Sequence, residues 1–429
     1  MKFFPSNQLL DANFLYRFIF KYLGIIILLF VTPFLFLQSP KELALFLIIR
    51  SMIRIFITFL NNYTGGQNFY RNLSKTDDIE AYFVQWFKNI VILISIFAII
   101  NIVFTYAISK NLSYKDVIDS LDLFFIFLWF FSSALLTTFS HYFQLVKKNF
   151  SSGISQGLLG NLALLISVLF FFTFYEINFT NVIFSFGLSS TCSLLFNVYL
   201  FLISSTKDTL KTVAPIQSIL KKDFLYEGIS ESTRPIIIFF ILIFSSYLYD
   251  ENITSLIGMT FMLYNFIYFL PHSYELSSRT SFLDAGKIYA PFKRSHDEFK
   301  RNLIYIYIIL SLIVTLLISI LNLDFFRTML LDMKIDSVIL ALIFNLLYII
   351  IYIFVSMLYP RSILICLLFG SSKNVFKINS YALGASFVCS LFILIFFKAW
   401  LCLFLFFITY EITKDALILR HLNDELIVQ

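Results

Sequence analysis

Charge is scarce in this chain. Only 14% of its 429 residues are charged against 59% apolar, and the mean hydropathy is +0.85. A water-soluble fold of this length has too little interior for so much apolar surface, so the bilayer is its solvent. Glycine and proline are also few, at 12 and 8. The four cysteines, Cys192, Cys366, Cys389 and Cys402, lie apart in apolar runs without metal-ligand spacing, so they are read as small membrane hydrophobes. No polar stretch is much longer than about thirty residues, too short for a soluble core, so no catalytic domain and no enzyme activity are expected. No cleavable signal peptide is evident, because Asn7, Asp11, Asn13 and Arg17 precede the first long apolar run. Phenylalanine is abundant, with 56 residues, alongside much Ile, Leu, Asn and Lys. AT-rich coding would produce that mixture, and aromatic stripes therefore carry no argument.

A hydrocarbon core of ~30 Å takes about 20 helical residues to cross. Twelve apolar runs qualify: 22–37, 41–60, 88–108, 121–145, 154–175, 181–204, 235–249, 253–270, 303–322, 337–359, 378–397 and 399–418. Lysine and arginine test that count independently. With the N-terminus inside and loops assigned alternately, 24 fall in inner segments, two of them in the C-terminal tail, and 6 in outer ones. The remaining two, Arg50 and Arg54, lie within the second run. Twelve helices with both ends cytoplasmic is the expected topology.

The long polar stretches follow helix 2 (61–87), helix 6 (205–234) and helix 8 (271–302). The middle one divides the chain into a lobe at 1–205, a linker at 206–234 and a second lobe at 235–429. Three echoes relate the halves in the same order. FITFL and FIYFL end the second helix of each, and FKNIVILI and FKRNLIYI open the third. QGLLGNLALL, from Gln156, and SYALGASFVC, from Ser380, open the fifth. Because six is even, the halves insert in the same direction, as parallel repeats able to face one central cavity.

The 6+6 layout, the long inner loops after helices 2 and 8, and the passage HYFQLVKKNFSSGISQGLLGNLALL (141–165) resemble the multidrug/oligosaccharidyl-lipid/polysaccharide (MOP) exporter superfamily. The major facilitator plan is not matched, since the loop after helix 2 reads NNYTGGQNFYRNLSKTDD without that family's Gly-Asp-Arg-basic motif. The resemblance implies an all-α, twelve-helix MATE-like transporter working by alternating access. It implies no cofactor, with a Na⁺ or H⁺ gradient as a driving force. Its MATE branch, which exchanges cationic drugs for Na⁺ or H⁺, would place a mid-membrane carboxylate in helix 1 or 7. Neither GIIILLFVTPFLFL nor PIIIFFILIFSSYL contains an acid. Glu227 and Glu231, before Pro235, are the nearest acids and the candidates for ion coupling, with a solvated helix start as the alternative reading. Asn161, Asn197 and Asn345 are the polar residues of helices 5, 6 and 10.

The conspicuous membrane charges are positive. Arg50 and Arg54 lie one turn apart on one face of helix 2. Arg54 is close enough to the helix end to snorkel. Arg50 is near mid-span, where a guanidinium costs at least ~2.5 kcal/mol unless paired or hydrated. Facing a cavity, it would suit a bidentate anionic ligand such as a pyrophosphate. The resembled lipid flippases carry undecaprenyl-pyrophosphate-linked sugars and use cavity arginines in this way. Arg361, after Pro360, is a third candidate, with Asn161 and Asn197 as polar partners. His141 closes helix 4 with Gln144 and reads more readily as an interface residue than as a proton relay.

The leading expectation is therefore a flippase or exporter of an anionic lipid-linked oligosaccharide, monomeric, in a bacterial inner membrane. Its partners would be membrane lipids and the lipid-linked glycan or another amphiphile, with no nucleic acid. A MATE-type antiporter of small molecules is the alternative, and a non-transporting assembly protein the remote one. Sequons at Asn111, Asn178 and Asn252 fall in expected outer loops, but Asn72 and Asn149 fall in inner ones, as Asn abundance alone would give.

Overall fold

The computed structural model describes residues 39–65, 79–112, 114, 117–145, 158–175, 177–204, 222–262, 372–397 and 401–427, with isolated positions at 24–38 and 301–312. Eight helices are defined among them: α1 (Pro40–Gly65), α2 (Ile79–Asn111), α3 (Ser120–Leu145), α4 (Gly160–Phe174), α5 (Phe179–Ser204), α6 (Lys222–Leu248), α7 (Ser372–Phe397) and α8 (Leu401–Ile427). A further helical stretch covers 251–262, and no strand occurs among the described residues. Five of these helices are long and apolar enough to cross a bilayer. The chain is thus an all-α, multi-pass membrane protein. Run 337–359 lies outside the described residues, and runs 22–37 and 303–322 are seen only at isolated positions.

Two compact units form. One is Asp11–Ser255, which holds α1–α6, and the other includes Leu256–Gln429 with α7 and α8. In the first, α1 packs most extensively on α6 and α3 on α5, while α4 covers α5 and α2 lies against α3 and α1. Aromatic rings join these helices. Phe83 of α2 stacks among Tyr142 and Phe139 of α3 and Phe201 of α5, at centroid separations of 4.5, 5.9 and 5.6 Å. Phe46 of α1 meets Trp129 of α3 and Phe186 of α5. Every one of those four helices therefore contributes to one continuous core.

Small residues bring backbones together where hydroxyls can bridge, as membrane helix pairs require. A Cβ on Gly187 of α5 would stand 3.3 Å from the Phe125 carbonyl of α3. Further along both helices run two hydroxyl bridges, Ser133 to Ser190 at 2.9 Å and Ser132 to Thr191 at 3.1 Å. On the outward faces the pattern reverses. Ile92, Ile96, Ile99, Val103 and Tyr106 form an exposed stripe along α2, at the three- and four-residue spacing of one helix face, and hydrocarbon is the medium that suits it.

Four helix starts carry their own caps. Ser39 accepts from the Glu42 amide ahead of Pro40, and Asn178 accepts from the Asn181 amide. Asp250 accepts from the Ile253 amide, and Asp119 and Asp122 cap α3 reciprocally, at 2.8 and 3.0 Å. Asn178, read above only as a sequon, thus has a structural task.

Helix α6 departs from the hydropathy reading, which places 206–234 in a linker and starts a span at 235. Residues 222–234 are helical, and Pro235 lies inside the helix. Burial explains the difference. Gly228, Ser230, Ser232 and Thr233 make this stretch polar, yet the three hydroxyl residues are buried, with Ser232 Oγ donating to the Gly228 carbonyl at 2.7 Å. A helix-breaking proline is tolerated in a membrane protein where neighbours and hydroxyls absorb the freed carbonyl.

Candidate functional site

The α1–α6 pair carries four of the residues singled out from sequence. The two helices are antiparallel, with Ser232 Oγ reaching the Ile55 carbonyl at 3.5 Å and Gly228 packed on the Phe59 ring. That register puts Arg54 and Glu231 within about 3 Å in depth, at a rise of about 1.5 Å per residue.

Direction matters as much as depth. Phe46 of α1 points to α3 and α5, Phe56 to α2 and α3, and Phe59 to α2 and α6, with the Ile55 carbonyl also on the α6 side. At about 100° per residue, Arg50 and Arg54 lie in the remaining sector, about 40° apart. Exposure rises along that sector. Leu43 and Leu47 are buried, Arg50 is half-buried and Arg54 is exposed. Among the described residues Arg50 has no hydrogen-bond or ion-pair partner. The one charge described as acting on it is Arg54, of like sign.

Glu227 is 1% exposed, so it belongs to the packed body of α6 and not to a solvated helix start. Glu231, one turn on, is half-buried. A buried membrane carboxylate is thus present on the seventh predicted helix after all, because that helix begins thirteen residues earlier than its apolar run.

The two asparagines are structural in setting. Asn197 is fully buried on α5, and its Nδ2 donates to the Ser193 carbonyl of the same helix at 2.9 Å. Asn161 is half-buried on α4, and a Cβ on Gly24 would collide with its Oδ1. Beside it Gly160 is held to α5, where Ser189 Oγ donates to its carbonyl at 2.7 Å. Gly384, its counterpart in the sequence echo, has nothing described within 4 Å of a would-be Cβ. His141 falls in the last turn of α3, while its side chain, Arg361 and Asn345 lie outside the described residues.

Sequence reasoning passed over the charges of the last helix. On α8, Glu411, Lys414 and Asp415 are 0%, 3% and 4% exposed. Lys414 Nζ stands 2.7 Å from Glu411 Oε2 and 5.3 Å from the centre of the Tyr410 ring. The Tyr410 hydroxyl donates to Asn379 Oδ1 of α7 at 3.3 Å. The signal was legible: EITKDA places three charges in five residues inside the run 399–418. No three metal-ligating side chains converge among the described residues.

No protein-family model matches this sequence, and no curated protein does. Solved structures do. One titled the inward-facing conformation of a multidrug resistance MATE family transporter of the MOP superfamily is similar at TM-score 0.65 and 10% identity, over 93% of this chain and 92% of that one. An outward-facing conformation of such a transporter matches at 0.63 and 11%, over 96% and 94%. The eukaryotic MATE transporter AtDTX14 matches at 0.58 and 12%, over 95% and 96%. At such identities the likeness is one of fold, and the fold is that of the MATE transporters of the MOP superfamily.

Proposed function

We propose that the chain is an alternating-access transporter of the MATE type, exchanging small amphiphilic molecules for Na⁺ or H⁺ across a membrane. The observation that carries this reading is the likeness, over more than nine-tenths of both chains, to MATE transporters in inward- and outward-facing forms. The sequence-level plan supports it, with parallel lobes at 1–205 and 235–429 enclosing a central cavity. Glu227, buried on α6, and Glu231 are the acids assigned to ion coupling, since a transported cation needs a desolvated anionic group that also takes a proton. The ion gradient is the driving force and no resident cofactor is required. Both termini are assigned to the cytoplasm on the strength of the lysine and arginine distribution, and a monomer in a bacterial inner membrane is the setting we propose with it. Uptake of a cationic dye into proteoliposomes under an imposed Na⁺ or H⁺ gradient tests it. Gradient-dependent uptake that Glu227→Gln lowers at least about tenfold is expected, and dye movement indifferent to both gradients contradicts it.

A second reading, export of an anionic lipid-linked oligosaccharide, is favoured by Arg50, half-buried and without a described partner. A guanidinium held so is matched to a pyrophosphate. Glycan export in a strain lacking the gene separates the two. Loss of export with both Arg50→Ala and Arg50→Lys supports the glycan reading, and full complementation by both removes it.

A further inference from the structure

We infer that Asp119 and Asp122, at the start of α3, form a proton-holding pair, with Asp122 kept as the uncharged acid and Asp119 bearing the one negative charge. Asp122 is 1% exposed while Asp119 is exposed, so only one of the two carboxyls meets water. Asp122 Oδ2 accepts from the Asp119 amide at 3.0 Å, but Oδ1 is buried and has no hydrogen-bond partner. An ionised carboxylate can only accept, and leaving one of its oxygens dry and unpaired is costly. In the acid, Oδ2 is the carbonyl that accepts from Asp119, and Oδ1 becomes a donor. The Asp119 carboxylate and the Thr180 hydroxyl of α5 are the acceptors within its reach, since both act on this carboxyl. A proton also needs no room, whereas a metal ion or a water would have to displace the atoms that close over Oδ1.

The surrounding charges point the same way. Helix α3 packs on α5, α2 and α1. The adjoining half of α5, 179–190, has no ionisable residue. The adjoining end of α2 offers Lys110, which is exposed, and that of α1 offers Lys41 and Glu42, the latter engaged by the Phe179 amide. The one charge described as acting on Asp122 is that of Asp119, of like sign. Two adjacent anions disfavour each other, and the drier one gives way by keeping its proton. The positive end of α3 still favours one charge in this turn, and Asp119 supplies it, accepting from the Asp122 amide at 2.8 Å. Asp119 is also the way by which the proton meets the aqueous phase, on the side that the lysine and arginine distribution assigns to the outside. Alkali on that side therefore ionises Asp122 within the α3–α5 contact. The pair is separate from the acids assigned to ion coupling, Glu227 and Glu231 of α6, and its proton is read without a transport assay.

Full-length protein in detergent is unfolded thermally from mildly acidic to alkaline pH, as wild type and as Asp122→Asn. The amide matches the acid in shape, its oxygen accepting from Asp119 and its NH₂ donating where the hydroxyl does. The two are expected to share one midpoint at neutral pH. At alkaline pH the wild type is expected to fall below the variant, because stability that rests on a proton held in the folded state is lost as pH rises. Infrared absorption at neutral pH is expected to show a protonated-carboxyl carbonyl band, shifted in D₂O, that Asp122→Asn removes. A variant that melts several degrees lower at neutral pH, or fails to fold, overturns the inference, because only an ionised Asp122 is a form that the amide does not replace. So does a carbonyl band unchanged by the substitution, or an alkaline fall in midpoint that wild type and variant share equally.

Discussion

The Glu42 carboxylate, in the first turn of α1, accepts a hydrogen bond from the backbone amide of Phe179 at 2.6 Å. Phe179 is the first residue of α5, so a side chain from one helix start caps another 137 positions away in sequence. Ser39-Pro40-Lys41-Glu42 has the spacing of a capping box, in which the acid would turn back to its own cap. Here Ser39 caps α1 alone, and Glu42 is left to serve α5, where a carboxylate also meets the positive end of the helix dipole.

That bond fixes the start of α1 to the start of α5. Glu42→Ala removes a charge-assisted hydrogen bond and is expected to cost about 1.5–3 kcal/mol. Ser39→Ala removes an ordinary cap and is expected to cost about 1 kcal/mol. Thermal unfolding in detergent orders the two, and a Glu42→Ala midpoint no lower than that of Ser39→Ala would refute the cross-helix role.

Tyr114, in the turn between α2 and α3, is buried, and its hydroxyl shares a 2.9 Å hydrogen bond with Ser246 of α6. Burial raises its pKa, the Ser246 bond works against the rise, and the nearby Glu251 adds to it. The folded state therefore holds this proton more tightly than the unfolded chain. Its contribution is fully present below the unfolded value of about 10 and is lost as pH rises through the folded value. The stability difference between wild type and Tyr114→Phe is expected to be flat up to about pH 10 and to shrink above it. A difference that grows at high pH would reverse the assignment.

Gly228 lies in the α1–α6 contact, where a Cβ would be 3.0 Å from the Phe59 ring and 3.3 Å from its carbonyl. Gly228→Ala gains about 1 kcal/mol of helix propensity. Crowding costs about 1–3 kcal/mol, so the net effect is a small loss. Gly228→Leu has no such offset and is expected to separate the helices, lowering the midpoint by several degrees more. Equal midpoints for the two variants would show that the contact is loose.

Much of this fold is legible in the residues. The apolar runs 41–60, 121–145 and 181–204 fall almost on α1, α3 and α5, because lipid-facing and core-facing residues are both apolar there. Hydropathy fails where a helix buries polar groups. The stretch FLYEGISESTRP reads as loop, yet it forms the first half of α6, where the Ser232 and Thr233 hydroxyls donate to carbonyls one turn earlier in the same helix. The same blindness hid Glu411, Lys414 and Asp415, since counting Lys414 among tail charges concealed its partner three residues before it. Arg50 was visible as a mid-span charge, but its place beyond Leu43 and Leu47 depends on which sides of α1 the other helices occupy. That is a property of packing and not of periodicity.

The central claim is that one cavity is reached alternately from the two sides of the membrane. Ser51, half-buried and next to Arg50 in α1, is the position to probe. In protein lacking its four native cysteines, Ser51→Cys is challenged with a membrane-impermeant maleimide from either side of uniformly oriented proteoliposomes. Alternating access predicts labelling from both sides, in a ratio that an imposed Na⁺ or H⁺ gradient shifts. Labelling from one side alone, unchanged by either gradient, would contradict it.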